Sequence, residues 1–230
     1  MEKKKSATQK KSVTKKKVMA MTSEKWISSY MDYVLEEEVI PKSVYKFAKE
    51  NKSTEEEFYQ YFGSLEALQK EIWEQFYLKS IQLMLESPEV DSFSSREKML
   101  TFFYTFFEML TANRSYVLFM LNRNESTLKN LEQLKGLRKN VKDFSKGLIA
   151  DDNAEKNIKL LQKNKTVFSE GAWLQTMFLL KFWMDDNSPQ FEKTDVAIEK
   201  SVNTIFDVFD NTPLEGILDF GKFLFKEKMS

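Results

Sequence analysis

The stretch Ser95–Ala112, SREKMLTFFYTFFEMLTA, constrains this chain more than any other. At a helical period its polar members Thr101, Tyr104, Thr105 and Glu108 share one narrow stripe. The rest of the circumference is Met99, Leu100, Phe102, Phe103, Phe106, Phe107, Met109 and Leu110. A helix that is apolar nearly all round must be buried among other elements. The chain has only 6 Gly and 4 Pro, too few for the many turns of an all-β body, so the surrounding elements are expected to be helices as well.

Caps and apolar stripes predict nine or ten of them. Ser23 is positioned to cap a first helix to about residue 38, which Pro41 interrupts. A short helix is expected over 43–50. Thr54 and Glu57 have the spacing of a capping box opening a very short helix over 54–61. Gly63 closes that helix, and Ser64 caps a long one over 65–85. A loop over 89–94 precedes the Phe-rich helix. Further helices are expected over 116–121 (opened by Ser115), 126–148, 168–183 and 195–209, with 151–166 part helix and part loop. Thr212-Pro213 starts a last amphipathic helix. No solenoid repeat is present.

The residue inventory bounds the chemistry. The chain contains no Cys and no His. Disulfides, zinc fingers, thiol nucleophiles and Ser-His triads are therefore excluded, as is the usual neutral-pH general base. No Gly-rich phosphate loop occurs. No catalytic residue, metal ligand or cofactor is expected; the chain reads as a binding protein rather than an enzyme. Its 20 Phe and 11 Met supply bulky, adaptable apolar filling.

Charge is unevenly spread. The formal total is zero, but residues 1–17 carry eight Lys and one Glu, net +7. This run lacks apolar periodicity and is expected to be a solvated tail; no apolar segment follows it, so it is not a signal peptide. No apolar run is long enough to span a bilayer, which predicts a cytoplasmic protein.

Residues 43–62, SVYKFAKENKSTEEEFYQYF, resemble the helix-turn-helix of the TetR family of bacterial repressors through Ser43, Val44, Phe47, Ala48, Thr54, Phe58, Tyr59 and Phe62. The following FGSLEAL also resembles that family's pattern. The resemblance implies an all-α, TetR-like fold in three parts: a Lys-rich tail (1–21), a helix-turn-helix domain (22–64) and a helical ligand-binding and dimerisation domain (65–230). It places Lys46, Thr54, Glu55, Tyr59 and Gln60 at DNA and makes the late helices a homodimer interface. It also implies that the middle helices enclose an apolar pocket.

Several residues depart from the family pattern. Glu55, Glu56 and Glu57 stand together at the front of the reading helix, where phosphate is met. Glu57 is expected to be taken up by the capping box. Leu65 replaces a frequent basic anchor. Asn51-Lys52 stands where Ala-Gly is usual; Asn tolerates left-handed backbone, so the turn is expected to survive. Residues 22–86 hold seven Lys and 13 Asp plus Glu, net −6, whereas DNA-binding domains are normally basic. Two functions follow. One is a regulator answering to a hydrophobic small molecule, with DNA binding weakened or lost. The other is a lipid- or isoprenoid-binding accessory protein, similar to the TetR-fold proteins of ubiquinone biosynthesis, that does not bind DNA.

For the ligand, Phe76, Phe102, Phe103, Phe106, Phe107, Tyr116, Phe119, Met120, Trp173, Met177 and Phe178 are the candidate pocket. Singly each reads as core packing; collectively the Phe and Met excess suits a cavity for an acyl- or isoprenoid-like molecule. The final helix, within 213–228, packs on the body, covers the pocket or touches a membrane surface.

Overall fold

The computed structural model describes residues 21–123, 130–154 and 164–211. Among them are nine α-helices and no strand. The Lys-rich tail up to residue 20 and the final helix expected over 213–228 lie outside the described residues, as do Ser126 and residues 155–163.

The first three helices are short and capped by hydroxyls. Helix α1 (Ser23–Glu37) is capped by Thr22, one residue before the expected Ser23: the Thr22 hydroxyl accepts from the Lys25 N–H. Ser43 caps α2 (Val44–Glu50), and Thr54 caps α3 (Glu55–Tyr59). Each hydroxyl satisfies an N–H that the first helical turn leaves unpaired.

The body follows. Ser64 caps the long α4 (Leu65–Leu85). A single 3₁₀ turn, Val90–Ser92, occupies the expected loop. Helix α5 (Ser95–Ala112) opens with a reciprocal capping box between Ser94 and Glu97. Helix α6 (Arg114–Asn122) begins before Ser115 with no side-chain cap. After a 3₁₀ turn, Glu132–Leu134, helix α7 (Lys135–Ala154) runs one and a half turns beyond the expected end at 148. Helix α8 (Lys165–Asp185) also starts earlier than expected, because the Asn164 side chain accepts from the N–H groups of Thr166 and Val167. The last described helix is α9 (Glu192–Asn211).

The α5 helix is the axis around which the body closes. It packs on α4, α7 and α9, and Met99, Phe102, Phe103, Phe106, Phe107 and Leu110 are all buried. Glu108 alone on its polar stripe is fully solvent-facing; Thr101, Tyr104 and Thr105 are half-buried. One continuous apolar cluster runs from Trp26 in α1 to Phe206 in α9. No described helix is long and apolar enough to cross a membrane.

The junction between α8 and α9 is a strained turn with a compensating clamp. Gln190 (φ 54°) and Phe191 (φ 61°) both take left-handed backbone, which disfavours residues with a side chain. The Arg114 guanidinium lies 4.4 Å from the ring centres of both Trp183 and Phe191. It also donates to the carbonyls of Trp183, Met184 and Asp186, closing the end of α8. Asp186 accepts from the backbone and hydroxyl of both Ser188 and Thr194. A flat, permanently charged fork suits this combination of stacking and carbonyl binding.

Candidate functional site

Five aromatic residues build the helix-turn-helix. Trp26 of α1 meets Phe47 of α2 and Phe58 of α3 at ring-centre distances of 5.5 and 5.3 Å. Phe58 then contacts Phe62 at 5.6 Å. Tyr30 packs edge-on against Phe47. These rings hold α2 and α3 at a fixed angle and leave their outer faces to solvent.

The turn between them solves its backbone problem differently from expectation. Asn51 keeps an ordinary φ of −80°, and its side chain donates to the Phe47 carbonyl. It is Lys52 that adopts the left-handed conformation, at φ 56°. Glu57 also departs from the expected capping box. Thr54 does accept from the Glu57 N–H, but the Glu57 carboxylate turns away to accept from the Ser53 hydroxyl and the Met21 N–H. Those two hydrogen bonds, the Ser53 hydroxyl first, hold the Glu57 carboxyl below its ordinary range. The carboxylate thereby anchors the chain entering α1, and the Tyr61 hydroxyl donates to the Met21 carbonyl beside it. The Glu57 carboxylate is thus taken up by contacts within the first three helices.

Of the DNA-facing residues expected from the sequence, Lys46, Thr54, Tyr59 and Gln60 are exposed and Glu55 is half-buried. Glu56 is exposed beside them. Leu65 is 8 % exposed and packs inward, so it offers nothing to a phosphate. The structure adds a basic feature that the sequence reading passed over. Lys42, Lys46, Lys49 and Lys52 are all exposed, and their spacing of three and four places them along one side of α2 and its flanking turns. That spacing was the available signal. Asp32, Glu36, Glu37 and Glu50 line a separate acidic cleft of about 440 Å³ between α1 and the end of α2.

The eleven candidate pocket residues do not form one chamber. Phe102 stacks on Phe106 and touches Phe103, Tyr77 and Phe144, with ring centres 5.0 to 5.6 Å away. Phe107 contacts Phe106 and Trp183. Tyr116 and Met120 are buried, and Phe119 is half-buried against the same core. Phe76 lines a cleft of about 290 Å³ between α1, α4 and α5. Trp173 and Met177 line another, of about 440 Å³, with Leu131 and Leu134, and Lys135, Arg138 and Glu132 complete its lining. Phe178 is 53 % exposed on the outer face of α8.

A buried polar network supports the Trp173 cleft. Trp73 Nε1 donates to Gln133 Oε1, and Gln133 Nε2 donates to the carbonyls of Met120 and Asn130. This ties α4 and α6 to the segment carrying Leu131 and Leu134. A second network joins α6 and α4 to α1. The Tyr30 and Tyr116 rings meet edge-on, and Gln69 of α4 donates to the Tyr30 hydroxyl at 2.6 Å. Burial pushes the Tyr30 phenol up to about 12 and the Tyr116 phenol well above its ordinary value, so both stay neutral.

The largest concavity among those described is a groove of about 880 Å³ between α8 and α9. Its lining includes Leu174, Phe178, Phe182, Val196, Ala197, Ile205 and Val208. Leu174 is 71 % exposed, and Val196 and Val208 are also exposed. The two helices approach closely because position 171 is Gly; a Cβ there would stand 3.1 Å from Ile205 Cδ1.

Residues 98–224, just over half the chain, match the family described as tetracyclin repressor-like, C-terminal domain. No curated protein and no solved structure matches the chain.

Proposed function

The chain belongs to the tetracyclin repressor-like family of regulators, whose members typically dimerise and bind small molecules, and from that premise we propose a homodimeric transcription regulator that answers to a hydrophobic small molecule and holds DNA weakly. The observation that carries the weak grip is the division of charge between α2 and α3. Lys42, Lys46, Lys49 and Lys52 supply phosphate partners. Glu55 and Glu56 stand at the front of the reading helix, facing a backbone with one negative charge per about 1.7 Å of axis. Glu can accept from a cytosine amino group, so the pair costs affinity while leaving a route to selectivity.

Binding of the full chain to DNA from its own upstream region, measured across a salt series, tests this. The double substitution Glu55→Gln, Glu56→Gln is expected to tighten binding about tenfold or more. Nanomolar, sequence-selective binding by the unsubstituted chain overturns the weak-contact reading. Undetectable binding by both proteins favours the second reading, a lipid- or isoprenoid-binding protein of this fold that has left DNA. The inward-packed Leu65 points toward that reading.

For the effector, the cleft lined by Leu131, Leu134, Trp173 and Met177 has the better match of chemistry. Its apolar lining suits an acyl chain, and Lys135 and Arg138 suit an anionic end group. Native mass spectrometry of the purified protein is expected to show a co-purifying acyl-type mass that Met177→Arg abolishes. The homodimer is expected to form by burying the α8/α9 groove against its copy, since an apolar patch of this extent marks an interaction site.

A further inference from the structure

One face of α1 has no partner and carries charge of a single sign. The exposed carboxylates of Asp32, Glu36, Glu37 and Glu50 line the cleft of about 440 Å³ between α1 and the end of α2, and no basic side chain lines it with them. None of the four forms an ion pair with a described residue. Asp32 and Glu36 stand four apart on one helix, where like charges repel. Burial, and then the charges of Glu50 and Glu37, push the Tyr33 phenol in the same cleft above its ordinary value. Leu35 and, just past the helix end, Val39 are exposed as well. The structure also shows where the preceding chain departs. The Met21 N–H donates to the Glu57 carboxylate, which also accepts from the Ser53 hydroxyl, and the Met21 carbonyl accepts from the Tyr61 hydroxyl. Ser53 is two residues beyond Asn51, which lines the cleft. The exit point of the tail is therefore tied beside the α2 end of the acidic face.

We infer that the chain's own Lys-rich tail folds back along α1 and docks on this carboxylate face, with Lys15, Lys16 and Lys17 meeting Asp32, Glu36, Glu37 and Glu50. Three observations favour this occupant. The charges complement each other: residues 1–17 are net +7, and residues 22–86 are net −6. The reach fits. Asp32 and Glu36 lie roughly 16–23 Å from Met21 at the rise of a helix. An extended chain covers about 3.3 Å per residue, which puts Lys15 to Lys17 about 13–20 Å from Met21. The apolar residues fit too, since Val13 and Val18 flank the three lysines and Leu35 and Val39 are the exposed aliphatics of the face. The tether favours the tail over a free polycation, because a short linker supplies an effective concentration on the order of millimolar. Each exposed pair contributes little, so the docking is a sum of weak contacts and is released by salt. The inference goes beyond the DNA reading above and does not depend on it.

The test treats the full chain, as an equal mixture of isotope-labelled and unlabelled protein, with a carbodiimide that joins lysine amines to carboxylates in direct contact. Mass spectrometry then reads the joined peptides. At low salt the cross-links of Lys15, Lys16 and Lys17 are expected on Asp32, Glu36, Glu37 and Glu50, within single copies. They are expected to fade in about 1 M salt, where the screening length falls to about 3 Å. A second readout does not consume the carboxylates: trypsin, which cleaves after lysine, is applied to the parent and to the variant Asp32→Asn, Glu36→Gln, Glu37→Gln, Glu50→Gln. All four side chains are exposed, so the variant is expected to keep its helix content by circular dichroism. Its tail is expected to be cleaved about fivefold faster or more at low salt, and at the parent's rate in high salt. Equal cleavage rates at low salt overturn the docking. So do cross-links spread evenly over other exposed carboxylates such as Glu86 and Glu108. Cross-links found chiefly between labelled and unlabelled copies give the face to a second copy's tail and overturn the intramolecular docking.

Discussion

Phe102→Ala and Phe178→Ala remove the same ring from two helices of the body, and the structure gives them opposite signatures. Phe102 is fully buried, with rings on several sides: Phe144 at 5.0 Å, Phe103 at 5.3 Å, and Phe106 and Tyr77 at 5.6 Å. Removing it leaves a hole that this ring-on-ring packing can close only in part, at a cost of about 3–5 kcal/mol. For a chain of this size that is a fall in Tm of roughly 6–20 °C, from about 2–4 °C per kcal/mol. Phe178 is 53 % exposed in the protomer, so its loss costs the protomer little. If the groove closes on a second copy, the exposed half of the ring is worth about 1–1.5 kcal/mol per protomer. Two copies then weaken association about 30- to 150-fold. Urea melts at several protein concentrations separate the two effects. The Phe102→Ala shift should be the same at every concentration. The Phe178→Ala shift should be largest at high concentration and vanish on dilution, because association stabilises by mass action and the two protomers are about equally stable. A Phe102→Ala protein that melts within 1 kcal/mol of the parent and loses its hydrophobic ligand would refute this reasoning and make the Phe cluster a binding chamber.

Three further perturbations follow from local geometry. Lys52→Gly relieves a left-handed backbone and is expected to stabilise by up to about 1 kcal/mol in a thermal melt, whereas Asn51→Gly, at an ordinary φ, is expected to destabilise. Arg114→Lys keeps the charge but loses the flat stacking between Trp183 and Phe191, so hydrogen exchange near residues 186–191 should speed up while α4 and α5 are unchanged. Burial raises the Asp186 carboxyl, but the Ser188 and Thr194 hydrogen bonds outweigh it and hold the group at about 2, below the usual 3.8. Its stabilisation is therefore complete above pH 4 and lost as pH falls toward 2; Asp186→Asn should flatten that limb of an acid titration of stability.

How much of this was legible in the sequence depends on how local each signal is. The α5 helix was readable, from about Ser95 to Ala112, because its apolar circumference lies within one segment; the Ser94–Glu97 capping box that opens it went unread. The three-helix unit ending at Phe62 was readable from the hydroxyls at Ser43 and Thr54 and from the resemblance carried by Phe47, Ala48, Phe58, Tyr59 and Phe62. The turn was misassigned between neighbours: composition favours Asn for a left-handed position, but Asn51 was already committed to the Phe47 carbonyl, which moved the strain to Lys52. The Glu57 carboxylate has the right spacing for a capping box, yet Met21, 36 residues away in sequence, offers an N–H that no local pattern reveals. The candidate pocket failed to gather for a similar reason. Phe102 and Phe178 are equally apolar, and only the packing of α8 decides that one faces inward and the other outward.

On the proposed function, that packing makes α8 the element on which ligand and partner would meet. Trp173 and Met177 open onto the cleft lined by Leu131 and Leu134. Leu174 and Phe178, their immediate neighbours in sequence, open onto the α9 groove. Adjacent helical positions stand about 100° apart, so the two surfaces share one helix without sharing side chains. A molecule that binds between Trp173 and Leu134 displaces α8 only by preferring one of its positions over another, and the same positions fix where Leu174 and Phe178 present themselves. At the far end the Arg114 clamp joins the last carbonyls of α8 to α6, which meets α1 through the Tyr116–Tyr30 contact. Met177→Arg should therefore alter two measurements together, ligand retention and the dimer dissociation constant. Ser80→Ala, a small change buried in α4 away from both surfaces, should alter neither. A Met177→Arg protein that loses its ligand with an unchanged dissociation constant would show that the two faces of α8 act independently.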